Sequence, residues 1–463
     1  MRKQFMGKLN LANLKKTIYY LRRNGLKNTW HAAKERMDER NALPYSFVPI
    51  TEEEAASQRK ASEDMNVTFS IAVPTYHTKE EQLHEMIESV LDQTYPKWEL
   101  LLADASSDDS VEKVVKTFAD DRIRYIRLLE NAGISENTNR AIEAACGEYT
   151  GLLDHDDVLT ADALYEMAVA IETKKAAGVE VKLLYSDEDK CNGDRTLYFE
   201  PHQKEDFNLD LLLSNNYFCH FMVLESELIK KLRFRKDYDG AQDYDLALRA
   251  VSELLGSEEQ IVHIGKVLYH WRCHADSTAQ NPQSKQYAYE AGKRAVQNFA
   301  DSYGFEAKAE HLKHLGFYRL KYKENPLKTR ADLGAVGGKL IKKGKIIGGR
   351  LTRQGDVYYR DLPVAFSGPF HRAVLQQDAE AVDIRCIQVK EECYPIFERI
   401  VGVPYRETAV CESYGKGADG WRIFDVSVLP ENSDYVKISI ELGKALTDAG
   451  YRILWEPELK KNM

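Results

Sequence analysis

Segments with the spacing of buried strands and of amphipathic helices alternate along residues 69 to 171, and this alternation restricts the fold most. Strand-like runs lie at 69–73, 98–103, 123–128 and 149–153, and helical periodicity occupies 83–91, 110–118, 136–145 and 161–171. We expect Ser135 to cap the helix at 136–145 and Gly147 to follow its end. Strands that alternate with helices predict a parallel sheet with right-handed crossover connections. The chain is therefore expected to have an α/β fold.

Length and composition are compatible with two compact units. The chain has 463 residues, of which 43% are hydrophobic and 30% are charged, enough for a sizeable core. No uninterrupted apolar run is long enough to span a bilayer and no apolar segment follows the basic start, so we expect neither a transmembrane helix nor an export signal. The seven cysteines are scattered without a C-x-x-C pair, which favours a reduced, cytoplasmic protein over a disulfide framework or a zinc ribbon.

The segment 1–37 is basic, with ten Lys and Arg and a single acid, Glu35, in a chain of net charge −9. Between the cations, apolar residues recur at roughly helical spacing: Leu11, Leu14, Ile18, Leu21 and Leu26. This basic amphipathic arm could rest on an anionic membrane or an acidic partner, or it could pack on the body of the protein. We expect no nucleic-acid partner. The polar stretch at 51–64 lacks a period and is interpreted as a linker.

Candidates for chemistry lie just after the predicted strands, because ligands of open parallel sheets bind beyond the carboxyl ends of the strands. These candidates are Pro74, Thr75 and Tyr76 after the first strand, Asp104 with Ser106, Ser107 and Asp108 after the second, and the run 154–157 (DHDD) after the fourth. No G-x-G-x-x-G follows the first strand and no G-x-x-x-x-G-K-S/T occurs. Other groups must therefore neutralise any bound phosphate.

The carboxylates of Asp154 and Asp156 are separated by one residue, so on extended backbone they project to one side and can share a hard cation with a diphosphate. Magnesium or manganese fits such a pair. The alternative is an acidic turn that caps the helix at 161–171. The position of the pair, at a strand end in line with Pro74 and Asp104, favours the cation site.

Asp243, with Gln242 before it, opens an amphipathic helix in the segment 240–250. The carboxylate could take a proton from an attacking acceptor hydroxyl, or it could only cap the helix and stabilise its dipole.

A second group of polar candidates follows the strand-like segment 181–185. Carboxylates lie at 185–189 (YSDED), and the later segment 268–278 supplies His270, Arg272 and His274. A histidine beside a diphosphate can complete a metal shell, and Arg272 can clamp a phosphate. Zinc bound by Cys273 and His274 is not expected, since no partner pair has ligand spacing.

The segments 70–110, 131–160 and 240–249 resemble family-2 glycosyltransferases, with several motifs in that family's order and spacing over residues 68 to about 300. The resemblance implies the GT-A fold, a Rossmann-like, mostly parallel sheet flanked by helices. It also implies an inverting reaction, a nucleotide-sugar donor, a saccharide or lipid-linked saccharide acceptor, and a divalent cation, Mn²⁺ or Mg²⁺.

The resemblance also implies roles for individual residues. Pro74, Thr75 and Tyr76 would line the nucleotide pocket and Asp104 would bond the base. The family often has two acids where this chain has Ala103 and Asp104, so the resemblance is incomplete at one base or ribose contact.

The same resemblance assigns the catalytic and metal-binding groups. Asp156 would be the metal ligand with Asp154 nearer the ribose, and Asp243 would be the base. His274 resembles the family's late histidine that joins the metal, although His270 competes for that role. His274 or Arg272 would stabilise the departing diphosphate.

Residues 331–463 resemble the second half of another such domain. Asp243 with Tyr244 and Asp434 with Tyr435 both open an amphipathic helix, and similar segments follow the two helices at nearly the same interval. The alternative is a chance similarity of two amphipathic helices. A second copy without the donor half would be non-catalytic, with a role in support, dimerisation or acceptor binding.

The sequence thus predicts an arm and linker at 1–65, a catalytic GT-A domain at 66–305, a connector at 306–330 and a partial α/β half-domain repeat at 331–463. The expected function is an inverting, metal-dependent glycosyltransferase of surface polysaccharide or glycolipid assembly, in the cytoplasm or on the inner face of the membrane. The rival interpretations are an inactive saccharide-binding or scaffold protein and a metal-dependent nucleotidyltransferase.

Overall fold

The structure is a computed structural model that describes residues 11–40, 45–273, 286–409 and 422–463. The described residues divide into two compact units. The main unit comprises 45–207, 216–273 and 286–295, and the C-terminal unit comprises 11–40, 208–215, 296–409 and 422–463.

The helices are α1 (Leu11–Arg40), α2 (Glu52–Ala61), α3 (Glu80–Leu91), α4 (Ser110–Val115), α5 (Ile134–Ala144), α6 (Ala163–Ala176), α7 (Leu209–Leu212), α8 (Ser226–Leu232), α9 (Gln242–Leu254), α10 (Gln286–Ser302), α11 (Pro326–Thr329), α12 (Tyr394–Val401) and α13 (Tyr435–Asp448).

The strands of the main unit are β1 (Phe69–Thr75), β2 (Trp98–Asp104), β3 (Ile123–Arg127), β4 (Tyr149–Leu152), β5 (Val158–Leu159), β6 (Leu183–Asn192), β7 (Tyr198–His202), β8 (Met222–Glu225) and β9 (Ile261–Cys273). Those of the C-terminal unit are β10 (Ala307–His311), β11 (Tyr318–Tyr322), β12 (Leu333–Lys342), β13 (Lys345–Gly348), β14 (Arg350–Leu351), β15 (Gln377–Asp378), β16 (Ala381–Val382), β17 (Ile387–Val389), β18 (Glu407–Ala409), β19 (Arg422–Phe424) and β20 (Arg452–Asn462).

The main unit is built on one sheet with the strand order β3-β2-β1-β4-β8-β6-β9-β5, and β7 pairs with β6. The four predicted strands are β1 to β4, and they pair in parallel. β8 runs antiparallel to both of its neighbours, and β6 and β9 return to parallel pairing. The predicted α/β fold with a mostly parallel sheet is confirmed, and the architecture is that of the GT-A fold.

The core of the main unit lies between this sheet and its flanking helices. Ile71 and Val73 of β1 and Leu83 and Ile87 of α3 are fully buried and belong to one apolar cluster. Burial of such a side chain stabilises the fold by about 1.5–3 kcal/mol. The apolar spacing that predicted the helix therefore corresponds to a real buried face.

The interpretation of 51–64 as a linker is wrong, because this stretch contains α2. Thr51 and Glu54 form a reciprocal capping box, in which the Thr51 hydroxyl accepts from the Glu54 N–H at 3.2 Å and Glu54 accepts from the Thr51 N–H at 2.7 Å. Ala55 is buried. A short capped helix needs little apolar surface, so the absence of a hydrophobic period did not exclude it.

The predicted ends of α5 are also corrected. Gly133 lies at the N-cap position, and the Ser135 hydroxyl instead donates to Asp239 at 2.5 Å. The helix ends at Ala144, before Gly147, whose N–H donates to the Ser70 hydroxyl at 2.8 Å. A Cβ on Gly147 would lie 2.6 Å from the β1 backbone, so close approach to that strand requires glycine.

The carboxylates of 185–189 were expected to follow a strand, but they lie within β6. Asp187, Glu188 and Asp189 are buried there. Each accepts a hydrogen bond from a histidine: His263, His220 and His270 respectively. These acids therefore sit inside the sheet, paired with imidazoles.

The basic segment forms α1, which is interrupted at Gly25 with a φ of 77°. Within the C-terminal unit, Asn24 donates to the carbonyl of Lys313 at 3.2 Å, and Glu35 accepts from the N–H groups of Ser367 and Gly368 at 2.7 and 2.8 Å. The helix thus packs on the body of the protein. No helix among the described residues is long and apolar enough to cross a membrane.

The C-terminal unit contains a sheet with the order β13-β12-β20-β15, and β17 pairs with β12. β12 is parallel to β20 and antiparallel to β13 and β17. The expected connector at 306–330 forms the hairpin of β10 and β11 followed by α11.

Candidate active site

The carboxyl ends of β1, β2 and β4 meet at one edge of the main sheet. Thr75 and Asp104, the last residues of β1 and β2, are register partners, and β4 on the other side of β1 ends at Leu152, just before Asp154. The three groups predicted from strand ends are therefore neighbours in the structure, because parallel pairing aligns those ends.

Asp104 is fully buried and its carboxylate is surrounded by protein donors. It accepts from the N–H and the hydroxyl of Ser106 at 2.9 and 2.5 Å and from the Thr75 hydroxyl at 3.3 Å. The Tyr125 hydroxyl donates at 2.8 Å, and Arg127 lies at 3.4 Å. Asp104 thus lies beneath the site and fixes the side chains around it.

An open pocket of about 390 Å³ lies above this network. It is lined by Tyr76, Ala105, Ser106, Ser107, Arg127, Leu128, Leu129, Glu130 and Asn131. Tyr76 is 49% exposed and contacts the ring of His77 edge-on, with ring centroids 4.5 Å apart. An exposed aromatic ring beside hydroxyl, amide and guanidinium groups is suited to a flat, polar ligand such as a nucleobase.

A second, smaller pocket of about 60 Å³ brings together Pro74, Asp154, Gln242 and Asp243. These four candidates come from strand ends and a helix start that are far apart in the sequence. His220 and Cys219 line the same pocket. One small space therefore joins the predicted nucleotide-binding residues to the predicted base.

The acids of the DHDD run differ in environment. Asp154 is solvent-exposed at the pocket, but the surrounding protein partly desolvates its carboxyl and raises its pKa; His220 opposes this rise, and the charges of Asp156 and Asp243 add to it. Asp157 is buried, accepts from the Tyr269 hydroxyl at 2.5 Å and from the Arg272 N–H at 2.7 Å, and has a pKa raised well above its usual range by burial. Asp157 is therefore a structural acid, and Asp154 faces the pocket.

Asp243 is held at the start of α9. One carboxylate oxygen accepts from the Asn216 amide at 3.1 Å and from the Cys219 thiol at 3.0 Å, and the other accepts from the N–H of Tyr244 at 2.9 Å. The N-cap position is Ala241, which has no side-chain cap. Gln242 accepts from the Gly240 N–H at 2.7 Å. Asp243 is thus oriented by two side chains from 216–219, neither of which sequence reasoning identified.

His220 is a further residue that sequence reasoning missed. Its N–H and its Nδ1 both bond one oxygen of the buried Glu188, at 2.8 and 2.9 Å, and its ring stacks on Tyr269. Although burial alone would lower it, the pKa of His220 is raised to about 9 by Glu188, Asp154 and Asp157. His220 is therefore a cation at neutral pH in the pocket that holds Asp154 and Asp243.

The remaining candidates from the late strand lie away from both pockets. His270 is buried, bonds Asp189 at 2.5 Å and contacts the Phe47 ring edge-on at 4.4 Å. Arg272 is 1% exposed, pairs with Glu85 and donates to the carbonyl of Gly193 at 3.0 Å. His274 lies outside the described residues. The arrangement gives His270 and Arg272 partners within the protein.

A divalent cation would be held by carboxylate oxygens in this site. Within residues 11–40, 45–273, 286–409 and 422–463, no three His, Cys, Asp or Glu side chains are arranged to hold a metal. Asp154 and Asp156 nevertheless fit one, because hard oxygen ligands suit Mg²⁺ and Mn²⁺, and because the charge of Asp156 adds to the rise in the pKa of Asp154 that desolvation causes. A cation between the two carboxylates would offset that charge.

Part of the chain is similar to a known protein family. Residues 70–233 match the model described as glycosyl transferase family 2. The chain is 42% identical over 235 residues to the uncharacterized protein y4gI of Sinorhizobium fredii, covering 50% of this chain and 25% of that protein. It is 32% identical over 294 residues to the O-antigen biosynthesis protein RfbC of Myxococcus xanthus, covering 60% and 22%. The chain thus spans about a quarter of the length of these relatives.

Two further similar proteins are matched over a larger share of their own length. The UDP-Glc:alpha-D-GlcNAc-diphosphoundecaprenol beta-1,3-glucosyltransferase WfgD of Escherichia coli is 29% identical over 213 residues, covering 46% of this chain and 79% of that protein. Among solved structures, residues 1–349 of TarS from S. aureus in complex with UDP-GlcNAc align with a TM-score of 0.40 at 19% identity, covering 50% of this chain and 66% of that chain.

Proposed function

The chain contains a glycosyl transferase family 2 domain, and we propose that it transfers a sugar from a nucleotide-sugar donor to an acceptor hydroxyl with inversion at the anomeric carbon. The observation that carries this proposal is the small pocket that joins Asp154 to Asp243. A donor-binding acid and an acceptor-activating acid must both reach the sugar, and both line this pocket.

The proposed reaction is a single displacement. The nucleobase binds beside Tyr76, and Asp154 faces the ribose and sugar. Asp243 accepts the proton of the acceptor hydroxyl as its oxygen bonds the anomeric carbon and the bond to the diphosphate breaks. Attack from the face opposite the leaving group inverts the configuration.

A divalent cation held by Asp156 with Asp154, and by His274 as the family resemblance implies, would neutralise charge on the departing diphosphate. The protein's own contribution is to orient Asp243 through Asn216 and Cys219 and to shield the pocket with Pro74 and its apolar neighbours.

The setting that we propose is surface polysaccharide or glycolipid assembly. RfbC is named for O-antigen biosynthesis and WfgD acts on a diphosphoundecaprenol-linked sugar. A saccharide or lipid-linked saccharide is therefore the acceptor class that we propose for this chain.

We propose in addition that α1 rests on an anionic membrane at its cytoplasmic face. Leu26, Trp30 and Met37 are 79%, 61% and 64% exposed and lie on one side of the helix beyond Gly25. Lys27 and Lys34 lie between them in the sequence. Exposed apolar residues next to cations favour insertion into the headgroup region of an anionic bilayer.

We propose that residues 331–463 are a second copy of the second half of the GT-A domain. Its support is the strand register, since β12 pairs with β13, β17 and β20 as β6 pairs with β7, β8 and β9. In both parallel pairs, β6 with β9 and β12 with β20, the register shifts so that a short segment of the first strand pairs with a longer segment of the second. The register pairs are Ser186 with Ile264 and Glu188 with Tyr269 in the main unit, and Gly337 with Trp455 and Lys339 with Lys460 in the C-terminal unit.

The acids at the two helix starts keep the same offset. The interval along the chain from Asp243 to Ile264 equals the interval from Asp434 to Trp455. Among residues 331–409 and 422–463, which the structure describes, the copy has no counterparts of β1 to β4, and its sequence has no counterpart of the DHDD run. We therefore expect no nucleotide-sugar site of the main unit's kind there. We propose a supporting or acceptor-binding role for it.

A screen of nucleotide sugars tests the proposed function. Mn²⁺-dependent hydrolysis or transfer that releases a nucleoside diphosphate, and that Asp243→Asn slows, is expected. Release of pyrophosphate would instead indicate a nucleotidyltransferase. Saccharide binding without turnover of any donor would indicate an inactive binding protein.

A further inference from the structure

The small pocket contains one basic side chain among the described residues that line it, and that side chain is His220. Asp154 and Asp243, which also line it, bring negative charge. A donor diphosphate adds more negative charge next to them. The pocket therefore needs a fixed positive group of its own, and His220 is placed to supply it.

Glu188 fixes the orientation of the imidazole. The carboxylate oxygen that accepts from Nδ1 also accepts from the N–H of the same residue, so ring and backbone are held together. The ring also lies flat on Tyr269, with centroids 4.7 Å apart and planes 16° apart. In the part of the chain that the structure describes, Nε2 makes no hydrogen bond, and the side chain is 24% exposed. Because Nδ1 donates to Glu188, the protonated ring, which the raised pKa of His220 favours at neutral pH, offers the pocket one N–H donor at Nε2.

The charge on Glu188 is itself maintained by its surroundings. Burial would raise the pKa of this carboxyl, but Lys204, His202 and His220 lower it well below its usual range. Lys204 is buried and donates to the carbonyl of Phe218 at 3.2 Å. A buried lysine, a buried carboxylate and a pocket-lining imidazole therefore form a continuous chain of charges that ends at the pocket.

The sheet alone does not require a carboxylate at this position. In the proposed second copy, the residue with the register of Glu188 is Lys339, which is buried against the ring of Trp455. Val223 of β8 and Val389 of β17 have equivalent positions, because they pair with Leu184 of β6 and Ala335 of β12. His220 precedes Val223 by the same number of residues as Cys386 precedes Val389, so Cys386 is the counterpart of His220. The pair of Glu188 and His220 thus occurs in the copy that has the DHDD run and is absent from the copy without it.

We propose that His220 binds the diphosphate of the nucleotide-sugar donor by donating from Nε2 to a phosphate oxygen, and that Glu188 positions it. This inference rests on the proposed function. The hydrogen bond strengthens as negative charge grows on the leaving group, so His220 would assist departure as well as binding.

The test compares nucleoside diphosphates with the corresponding nucleosides in calorimetric titrations, since only the former carry the group that His220 is proposed to hold. Uridine, guanosine and thymidine diphosphates are titrated with Mn²⁺ into the full chain and into His220→Gln. The variant keeps a polar side chain and loses the charge. We expect its affinity for the bound diphosphate to fall about 10- to 100-fold and its affinity for the nucleoside to stay unchanged.

Two further variants separate positioning from folding. Glu188→Gln should weaken diphosphate binding and leave nucleoside binding unchanged, a selectivity that a purely structural role would not produce. His263→Gln is the matched control, because His263 is also a histidine bonded to a β6 acid, Asp187 at 2.8 Å, but lines neither pocket. It should bind both ligands as the wild type does, and thermal unfolding reports whether each variant is folded.

The outcomes test the role of His220 separately from the proposed glycosyltransferase function. If the wild type binds a diphosphate and folded His220→Gln binds it equally, the role of His220 is refuted and the glycosyltransferase proposal stands. Equal losses for nucleoside and diphosphate, or equal losses in His263→Gln, would also refute it. If the wild type binds none of the three diphosphates, the proposed function fails, and this inference fails with it.

Discussion

The thiol of Cys219 donates a hydrogen bond to the carboxylate of Asp243 across 3.0 Å. The Asn216 amide donates to the same oxygen at 3.1 Å. Burial and the neighbouring carboxylate raise the pKa of the Cys219 thiol well above its usual range, so it stays protonated and can act as a donor. The two contacts leave the proposed base with a single orientation toward the pocket.

Replacement of Cys219 tests that orientation. Cys219→Ala removes one donor, so we expect kcat to fall about 2- to 10-fold with KM for the donor unchanged. Cys219→Ser supplies a hydroxyl donor in the same place and should retain most of the activity. Steady-state kinetics of both variants measure the effect, and equal rates for Ala and wild type would contradict it.

Asp243→Asn should keep donor binding but lower turnover by about two to four orders of magnitude, the usual contribution of a positioned base. Asp434→Ala is the matched control, because Asp434 has the equivalent offset in the C-terminal unit but serves as an N-cap that accepts from the Lys437 N–H at 3.0 Å. It should cost about 1 kcal/mol of stability and no turnover. Turnover lost in folded Asp434→Ala would indicate a second working site.

Asp156→Ala should abolish Mn²⁺-dependent binding of a nucleoside diphosphate and leave the melting temperature nearly unchanged. The neighbouring Asp157→Ala should instead lower the melting temperature, because it leaves the buried Tyr269 hydroxyl and the Arg272 N–H without their acceptor. Each group left unsatisfied costs about 1–3 kcal/mol. Calorimetric binding and thermal unfolding of the two variants give the comparison, and unchanged Mn²⁺-dependent affinity in Asp156→Ala would refute the metal assignment.

The triple variant Leu26→Ser, Trp30→Ser and Met37→Ser should bind more weakly to vesicles that contain phosphatidylglycerol, because it lacks these exposed apolar groups of α1. Residual binding should fall with salt, since the cations remain. Donor hydrolysis should not change. Leu197→Ser, at an exposed apolar residue of the main unit, is the control.

Substitution tests the arm better than truncation of residues 1–46 does. Tyr45 donates to Asp189 at 2.8 Å, so such a truncation would also remove a contact of the main unit. Vesicle binding that is equal in the triple variant and the wild type at low salt would refute the membrane proposal.

The C-terminal unit should lose stability on mild acidification. The rings of His314 and His371 stack 3.5 Å apart, and burial with nearby positive charge lowers their pKa values to about 4 and about 3. Because the unfolded chain takes up these protons near pH 6.5, stability is complete above that pH and falls as pH decreases toward 4, by roughly 2 kcal/mol per ring at pH 5. His314→Phe keeps the aromatic contact and should reduce the dependence when unfolding is measured at pH 7.5 and pH 5.

Local patterns in the sequence determined the strands and helices around the site. Alternating periodicity located β1 to β4 close to their observed ends, and the parallel pairing that aligns those ends placed Pro74 and Asp154 at one edge. The capping box of α2 was also a local pattern, Thr51-x-x-Glu54, and could have been recognised without a structure. Such features depend only on neighbouring residues, so the sequence contains them in full.

The tertiary structure alone decided which candidates face the pocket. Asp104 ends a strand as predicted but is covered by its own hydrogen-bond partners, and Arg272 is paired with Glu85. His220 is distant from Asp154 along the chain, and only the pairing of β8 between β4 and β6 brings it beside Asp154 and Glu188. Burial and charge pairing depend on contacts between distant segments. The sequence by itself therefore determined the residue types at the strand ends, and the fold decided which of them can act.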